Sequence, residues 1–160
     1  ISAENTGLAD ISPLAGKLRL EAVFIGDSLV TDITPLKSAL GLRFLGCNEL
    51  QIGSLDALEG MTELETVCLA GCGLWSIQPL SSGKKLRNVY LGRNNVSDLS
   101  PLIGCDIAEM YLDLNKLNGN SEAFRGLTVH GFIVMNGNGY AQEDLEYIRS
   151  TINGEADLEI

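Results

Sequence analysis

The chain has 160 residues and a formal net charge of −10, from 11 Lys and Arg against 21 Asp and Glu; its 45% apolar content is ordinary for a soluble globular protein and argues against disorder. The acidic balance argues against nucleic acid, whose affinity needs clustered Lys and Arg on phosphates, and against anionic membrane surfaces. No apolar run approaches the roughly 20 residues needed to span a bilayer, and no signal peptide is visible.

A period of 22 residues organises what remains, marked by Leu14, Leu36, Leu58, Leu80 and Leu102. In chain order, Ile1, Ala3, Leu8 and Ile11 open inside a repeat, with no initiator Met and no polar cap. Residues before Ile1, or a partner over that end, are therefore expected. Asp10-Ile11-Ser12-Pro13 leads into Leu20, Val23, Ile25, Ser28 and Val30. Asp32-Ile33-Thr34-Pro35 leads into Leu42, Leu45, Cys47, Leu50 and Ile52. The third copy, Ser54-Leu55-Asp56-Ala57, lacks the proline and precedes Leu64, Val67, Leu69, Cys72 and Leu74. Ser76-Ile77-Gln78-Pro79 precedes Leu86, Val89, Leu91, Asn94 and Val96. Asp98-Leu99-Ser100-Pro101 precedes Ile107, Met110, Leu112, Asn115 and Leu117, which arrive one residue early. Val129, Phe132 and Val134 resume the step as the last inward set. Ala141 to Asn153 then carries Leu145, Ile148 and Ile152 at helical spacing, with Gly154 as a stop. From Glu143 onward six acids face Arg149 alone, a composition expected to fray in solvent.

Alternation of period two within each second phrase predicts a short strand with one buried face. Pro13, Pro35, Pro79 and Pro101 fix φ where no ladder bond is wanted, so the first phrase is a turn on the far side. One such coil cannot cover its own apolar edge, whereas stacked coils bury a continuous core. Asn94 and Asn115 stand where a buried amide satisfies backbone groups of neighbouring coils; Ser28 and Cys72 could do so in part, Leu50 and Gly137 not.

This pattern resembles the leucine-rich repeat, in the 22-residue class shared by SDS22-like proteins and bacterial internalins, and the Asp-Ile-Ser-Pro-Leu phrase is especially internalin-like. The resemblance covers roughly residues 1–145. It implies an α/β right-handed solenoid with a parallel concave sheet, 3-10 turns on the convex side and protein binding through the concave face without catalysis. The expected organisation is a repeat array over 1–140, then a cap helix and acidic tail over 141–160. The slip near Cys105 is expected to bulge or tilt the last two coils.

Chemistry-bearing residues are sparse. Cys47, Cys72 and Cys105 fall at buried positions and Cys68 on the outer sheet face. Disulfides need Cα atoms about 4.4–6.8 Å apart, and no pair in this register qualifies. With His130 the single histidine, a zinc site is not expected, nor is any other metal or cofactor. His130 has no placed nucleophile for a triad, Ser82-Gly83-Lys84 lacks the rest of a phosphate loop, and Asn136-Gly137-Asn138-Gly139 lacks calcium-binding carboxylates. Asn95-Val96-Ser97 is a glycosylation triplet of a kind common by chance. Four free thiols point to a reducing compartment, whereas the internalin resemblance points to a bacterial surface or secreted protein.

The outward columns of the sheet carry the functional expectation. One runs Ala22, Phe44, Thr66, Asn88, Glu109, Gly131; the central one runs Phe24, Gly46, Cys68, Tyr90, Tyr111, Ile133; beyond it lie Gly26, Asn48, Ala70, Gly92, Asp113 and Met135, with Phe132 turned inward. Exposed aromatics on a rigid sheet suit a protein interface, so Phe24, Phe44, Thr66, Cys68, Asn88, Tyr90, Glu109, Tyr111 and Ile133 form the candidate surface for a protein partner. Cross-strand packing of Tyr90 on Tyr111 is the competing explanation. A spacer or scaffold role within a larger bacterial protein is the alternative function. Glu21, Arg43, Glu65 and Arg87 alternate in sign along the strand entrance and fix register. Lys84, Lys85, Arg87 and Arg93 form a basic cluster that suits either an acidic partner or plain solvation, and Trp75 is an exposed aromatic at a coil edge.

Overall fold

A computed structural model describes residues 1–160. Seven parallel strands form one sheet in chain order: β1 (Ala22–Phe24), β2 (Phe44–Gly46), β3 (Thr66–Cys68), β4 (Asn88–Tyr90), β5 (Asp106–Tyr111), β6 (Thr128–Val134) and β7 (Asp157–Glu159). The return legs carry 3-10 turns, and one helix, α1 (Gln142–Thr151), lies between β6 and β7. With right-handed parallel crossovers, this is a solenoid with its sheet on one side and its turns on the other.

Each turn has a visible cause. The carboxylates of Asp10, Asp32 and Asp98 accept the backbone N–H and the hydroxyl of Ser12, Thr34 and Ser100 at 2.7–2.9 Å. The following proline sits in a 3-10 turn that needs no donor from it. These bonds, the backbone one foremost, hold Asp10 and Asp32 below the ordinary carboxyl range. In the third and fourth coils the Ser54 and Ser76 hydroxyls accept from the N–H of Asp56 and Gln78 at 3.1 Å. That substitute lets Asp56–Leu58 turn without a proline, with Ala57 buried in its place.

One continuous core of 41 buried apolar residues runs from Ile11 to Ile152, so no coil is stabilised alone. Leu36, Leu58, Leu80 and Leu102 are fully inside it. Leu14 is only half-buried and Ile1 is exposed, because they belong to the coil face that no other coil covers. The helix follows its pattern: Leu145, Ile148 and Ile152 pack inward, and the Asp144 carboxylate caps the start by accepting the Ala141 N–H at 2.7 Å and the Ser121 hydroxyl at 3.0 Å.

The structure departs from the sequence reading in three places after Leu117. First, β6 is bulged: Ile107 pairs with Val129, but Glu109 pairs with Phe132 and Met110 with Ile133, so His130 and Gly131 together face Ala108. The residue lost before β5 is returned here, and every later side chain flips. Ile133 and Met135 therefore point into the core and Phe132 outward, the reverse of the expected order. Second, the buried amide continues at Asn138, not Gly137. Third, the acidic tail does not fray: Asp157–Glu159 pairs with Phe132–Val134 as the seventh strand, which also ends the expectation that β6 is the last one.

Candidate binding face

The concave sheet is the only extended surface of fixed aromatic side chains. The short strands are held by the buried amides behind them. Asn94 accepts the N–H groups of Cys72 and Leu74 and donates to the carbonyls of Leu69 and Leu91 at 2.8 Å. Asn115 and Asn138 repeat this across the next two coils. A ladder of amides leaves little freedom to the strand exits.

On the outer face Tyr90 and Tyr111 stack with ring centroids 5.1 Å apart and an interplanar angle of 26°. The Tyr90 hydroxyl donates to Glu109 Oε2 at 2.7 Å. That bond first, and burial second, push the phenol up to about 12. Asn88 Nδ2 donates to Thr66 Oγ1 at 3.3 Å, and Asn88 and Glu109 are direct cross-strand neighbours, so this pair adjoins the group formed by Glu109, Tyr90 and Tyr111. Phe24 lies over Gly46, which is glycine because a Cβ there would stand 2.7 Å from the ring. Phe44 carries the Arg43 guanidinium 5.1 Å above its centroid. Cys68 lies half-buried beside Asn48, Ala70, Tyr90, Gly92 and Tyr111 in a shallow depression.

All of the expected surface residues except Ile133 thus lie half-buried on the outer side of the sheet. Ile133 is 0% exposed, and Phe132, 50% exposed, takes its place beside Glu109. The four thiols are free. Burial pushes Cys47 far up, Cys72 up to about 11, and Cys68 and Cys105 upward as well, so none is set up as a nucleophile.

The charges resolve into pairs. Arg43 forks onto Glu65 at 2.8 and 3.0 Å, and this bond holds the Glu65 carboxyl low. Arg87 turns to Asp106 at 3.9 Å instead of Glu65, and His130 Nε2 lies 3.1 Å from the same carboxylate. The expected basic cluster is dispersed: Lys84 donates to the Ile103 carbonyl at 2.7 Å, Lys85 pairs with Glu63 at 2.6 Å, and Arg93, at the opposite strand end, pairs with Glu49 across Gly71. No group of three or more His, Cys, Asp or Glu is arranged to hold a metal ion, and no helix is long and apolar enough to cross a membrane.

Internalin C2 of Listeria monocytogenes superposes on 98% of this chain and 72% of its own, with a TM-score of 0.67 at 21% identity. Internalin F of the same bacterium superposes on 94% of this chain and 52% of its own, also at 0.67, with 20% identity. By sequence, leucine-rich repeat-containing protein 56 of mouse is 36% identical over 78 residues, and the human protein 37%. The chain is an internalin-like leucine-rich-repeat solenoid. No family profile matches it. The match covers 48% of this solenoid but spans only 13–14% of the mouse and human proteins. Within the repeat solenoid, sequence reasoning placed Ile133 and Met135 outward although they are buried, and it missed Phe132 on the outer face and the buried amide of Asn138. Their signal was present: Gly131 interrupts a strand, and Asn138 stands to Met135 as Asn115 stands to Leu112.

Proposed function

We propose that the solenoid is a protein-recognition module that docks a polypeptide on its concave sheet, centred on Tyr90 and Tyr111 and extended by Phe44, Thr66, Asn88, Glu109 and Phe132. The stacked tyrosine pair carries the proposal. It presents large amphipathic area whose rotamers are already held by Glu109 and by the neighbouring ring, so little side-chain entropy remains to be lost on association. Phe24 and Cys68 lie on the same face and widen it. Leucine-rich-repeat proteins are in general interaction modules without catalysis, which supports a binding role over an enzymatic one.

The same stack stabilises the sheet, and this observation favours the second reading, a spacer in a longer chain. The two readings separate in one experiment. The immobilised solenoid is used as bait, wild type against a Tyr90→Ala, Tyr111→Ala, Phe132→Ala variant. A recognition module retains a reproducible protein that the variant loses by at least tenfold, with both baits folded by circular dichroism. Identical retention by both, or none by either, assigns the aromatics to the sheet itself.

A further inference from the structure

The convex side carries a second, chemically different site. The 3-10 turn of the third coil, Asp56–Leu58, has three residues and stands between turns of five, Thr34–Ser38 and Gln78–Ser82. The surface dips there, and the groove is lined by Ser54, Asp56, Glu59, Trp75, Gln78 and Ser81. Trp75 is the most exposed large apolar residue of the protein, at 71%.

We infer that this groove binds a neutral oligosaccharide, with one sugar ring stacked on Trp75 and its hydroxyls held by the polar rim. A sugar presents an apolar C–H face and a fringe of hydroxyls that both donate and accept. The groove offers the complement: one broad aromatic face, the acceptor carboxylates of Asp56 and Glu59, the Gln78 amide, and hydroxyls that do both. The Ser54 hydroxyl already accepts the Asp56 N–H at 3.1 Å, so its proton is free to point outward. The side chains of Asp56, Glu59, Gln78 and Ser81 make no hydrogen bond within the chain, leaving their full capacity for a ligand. A protein partner would need further apolar contacts around the tryptophan, because interface cores are depleted of charge. Here Leu55 is buried, Pro79 is the one other apolar side chain at the rim and is only partly exposed, and apart from Gly53 the remaining rim is polar or charged. The two carboxylates exclude anionic ligands such as phosphates and acidic sugars.

Trp75 is the single tryptophan, so its fluorescence reports this groove alone. The test titrates the protein with the hexasaccharides of glucose, mannose and N-acetylglucosamine, under selective tryptophan excitation, and repeats the binding by calorimetry on variants. At least one hexasaccharide shifts the emission saturably. Trp75→Ala weakens it about tenfold or more, Gln78→Ala weakens it several-fold with the tryptophan intact, and Tyr90→Ala with Tyr111→Ala leaves it unchanged. Both groove residues are exposed, and unaltered circular dichroism shows that these variants fold. Absence of a saturable shift with all three sugars overturns the proposal, as does equal affinity in the folded Trp75→Ala variant. Retention of a polypeptide that depends on Trp75, without any sugar response, also overturns it and assigns the groove to protein.

Discussion

Asn115 shows how much a single buried side chain carries. Its Oδ1 accepts the Val96 N–H at 2.9 Å, and its Nδ2 donates to the carbonyls of Leu91 and Leu112 at 2.9 Å. Removing the amide leaves these groups without partners or with intruding water, and buried unsatisfied groups cost about 1–3 kcal/mol each. Asn115→Ala is expected to lose about 2–4 kcal/mol by urea unfolding, more than Ser28→Ala, whose hydroxyl accepts one backbone N–H at 3.4 Å and donates to one carbonyl at 2.6 Å. Equal losses would show that the amide is not the fastening of the strand exits. A second outcome concerns Tyr90. Its phenol, ordinarily ionising at 10.0, is raised to about 12 by the bond to Glu109. A raised value stabilises the fold fully below 10 and loses that contribution as pH climbs toward about 12. Burial also pushes the Tyr140 phenol up, so ultraviolet difference titration should show two late tyrosines in the wild type, and Glu109→Gln should bring only one of them back toward 10. An unchanged titration would mean that the hydrogen bond does not form in solution.

At the scale of the element, the strands and turns were legible in the sequence because each repeats a local cause. The Asp-x-Ser/Thr-Pro phrase writes its own turn, and alternation writes the strand. The concave residues followed from the register through Tyr111, and all of them lie where alternation puts them. What was not legible was β6, since a bulge is a two-strand event: His130 and Gly131 oppose Ala108 only because β5 is already in place. That single insertion moved Ile133 from the candidate surface into the core and brought Phe132 out. Tail pairing was hidden for a related reason. Asp157, Leu158 and Glu159 have weak strand preference, and they are ordered by the edge of β6 that they cover. Gly131 is the residue that permits the bulge, since a Cβ there would stand 2.2 Å from the Ala108 carbonyl oxygen. Gly131→Ala must move backbone, with an expected cost of about 1–3 kcal/mol. Hydrogen exchange should place the damage in β6, β7 and α1 and leave β1 to β4 protected; a uniform loss would contradict the local origin of the strain.

At the scale of the molecule, each strand pairs only with its sequence neighbours, and the order of strands in the sheet is the order in the chain. Stability is then a sum over coils and the interfaces between them, and cooperativity depends on every interface being strong enough to carry unfolding from one coil to the next. Leu58 sits at the middle of that line, fully buried between the second and fourth coils. Leu58→Ala removes core contacts worth about 2–5 kcal/mol, and because the loss falls on an internal interface it also weakens communication between the two halves. The coils before β3 contain no buried amide of the Asn94 type, whereas Asn94, Asn115 and Asn138 bind β3 through β6 together. The amino-terminal coils should therefore melt first once the link is weakened. Urea unfolding followed by Trp75 fluorescence and by backbone circular dichroism should coincide in the wild type and separate in Leu58→Ala. Leu14→Ala, at a half-buried position on the outermost coil, should cost less and keep the two probes together. If the probes still coincide in Leu58→Ala, the interfaces are stronger than any one coil, and the array unfolds as a unit despite its linear construction.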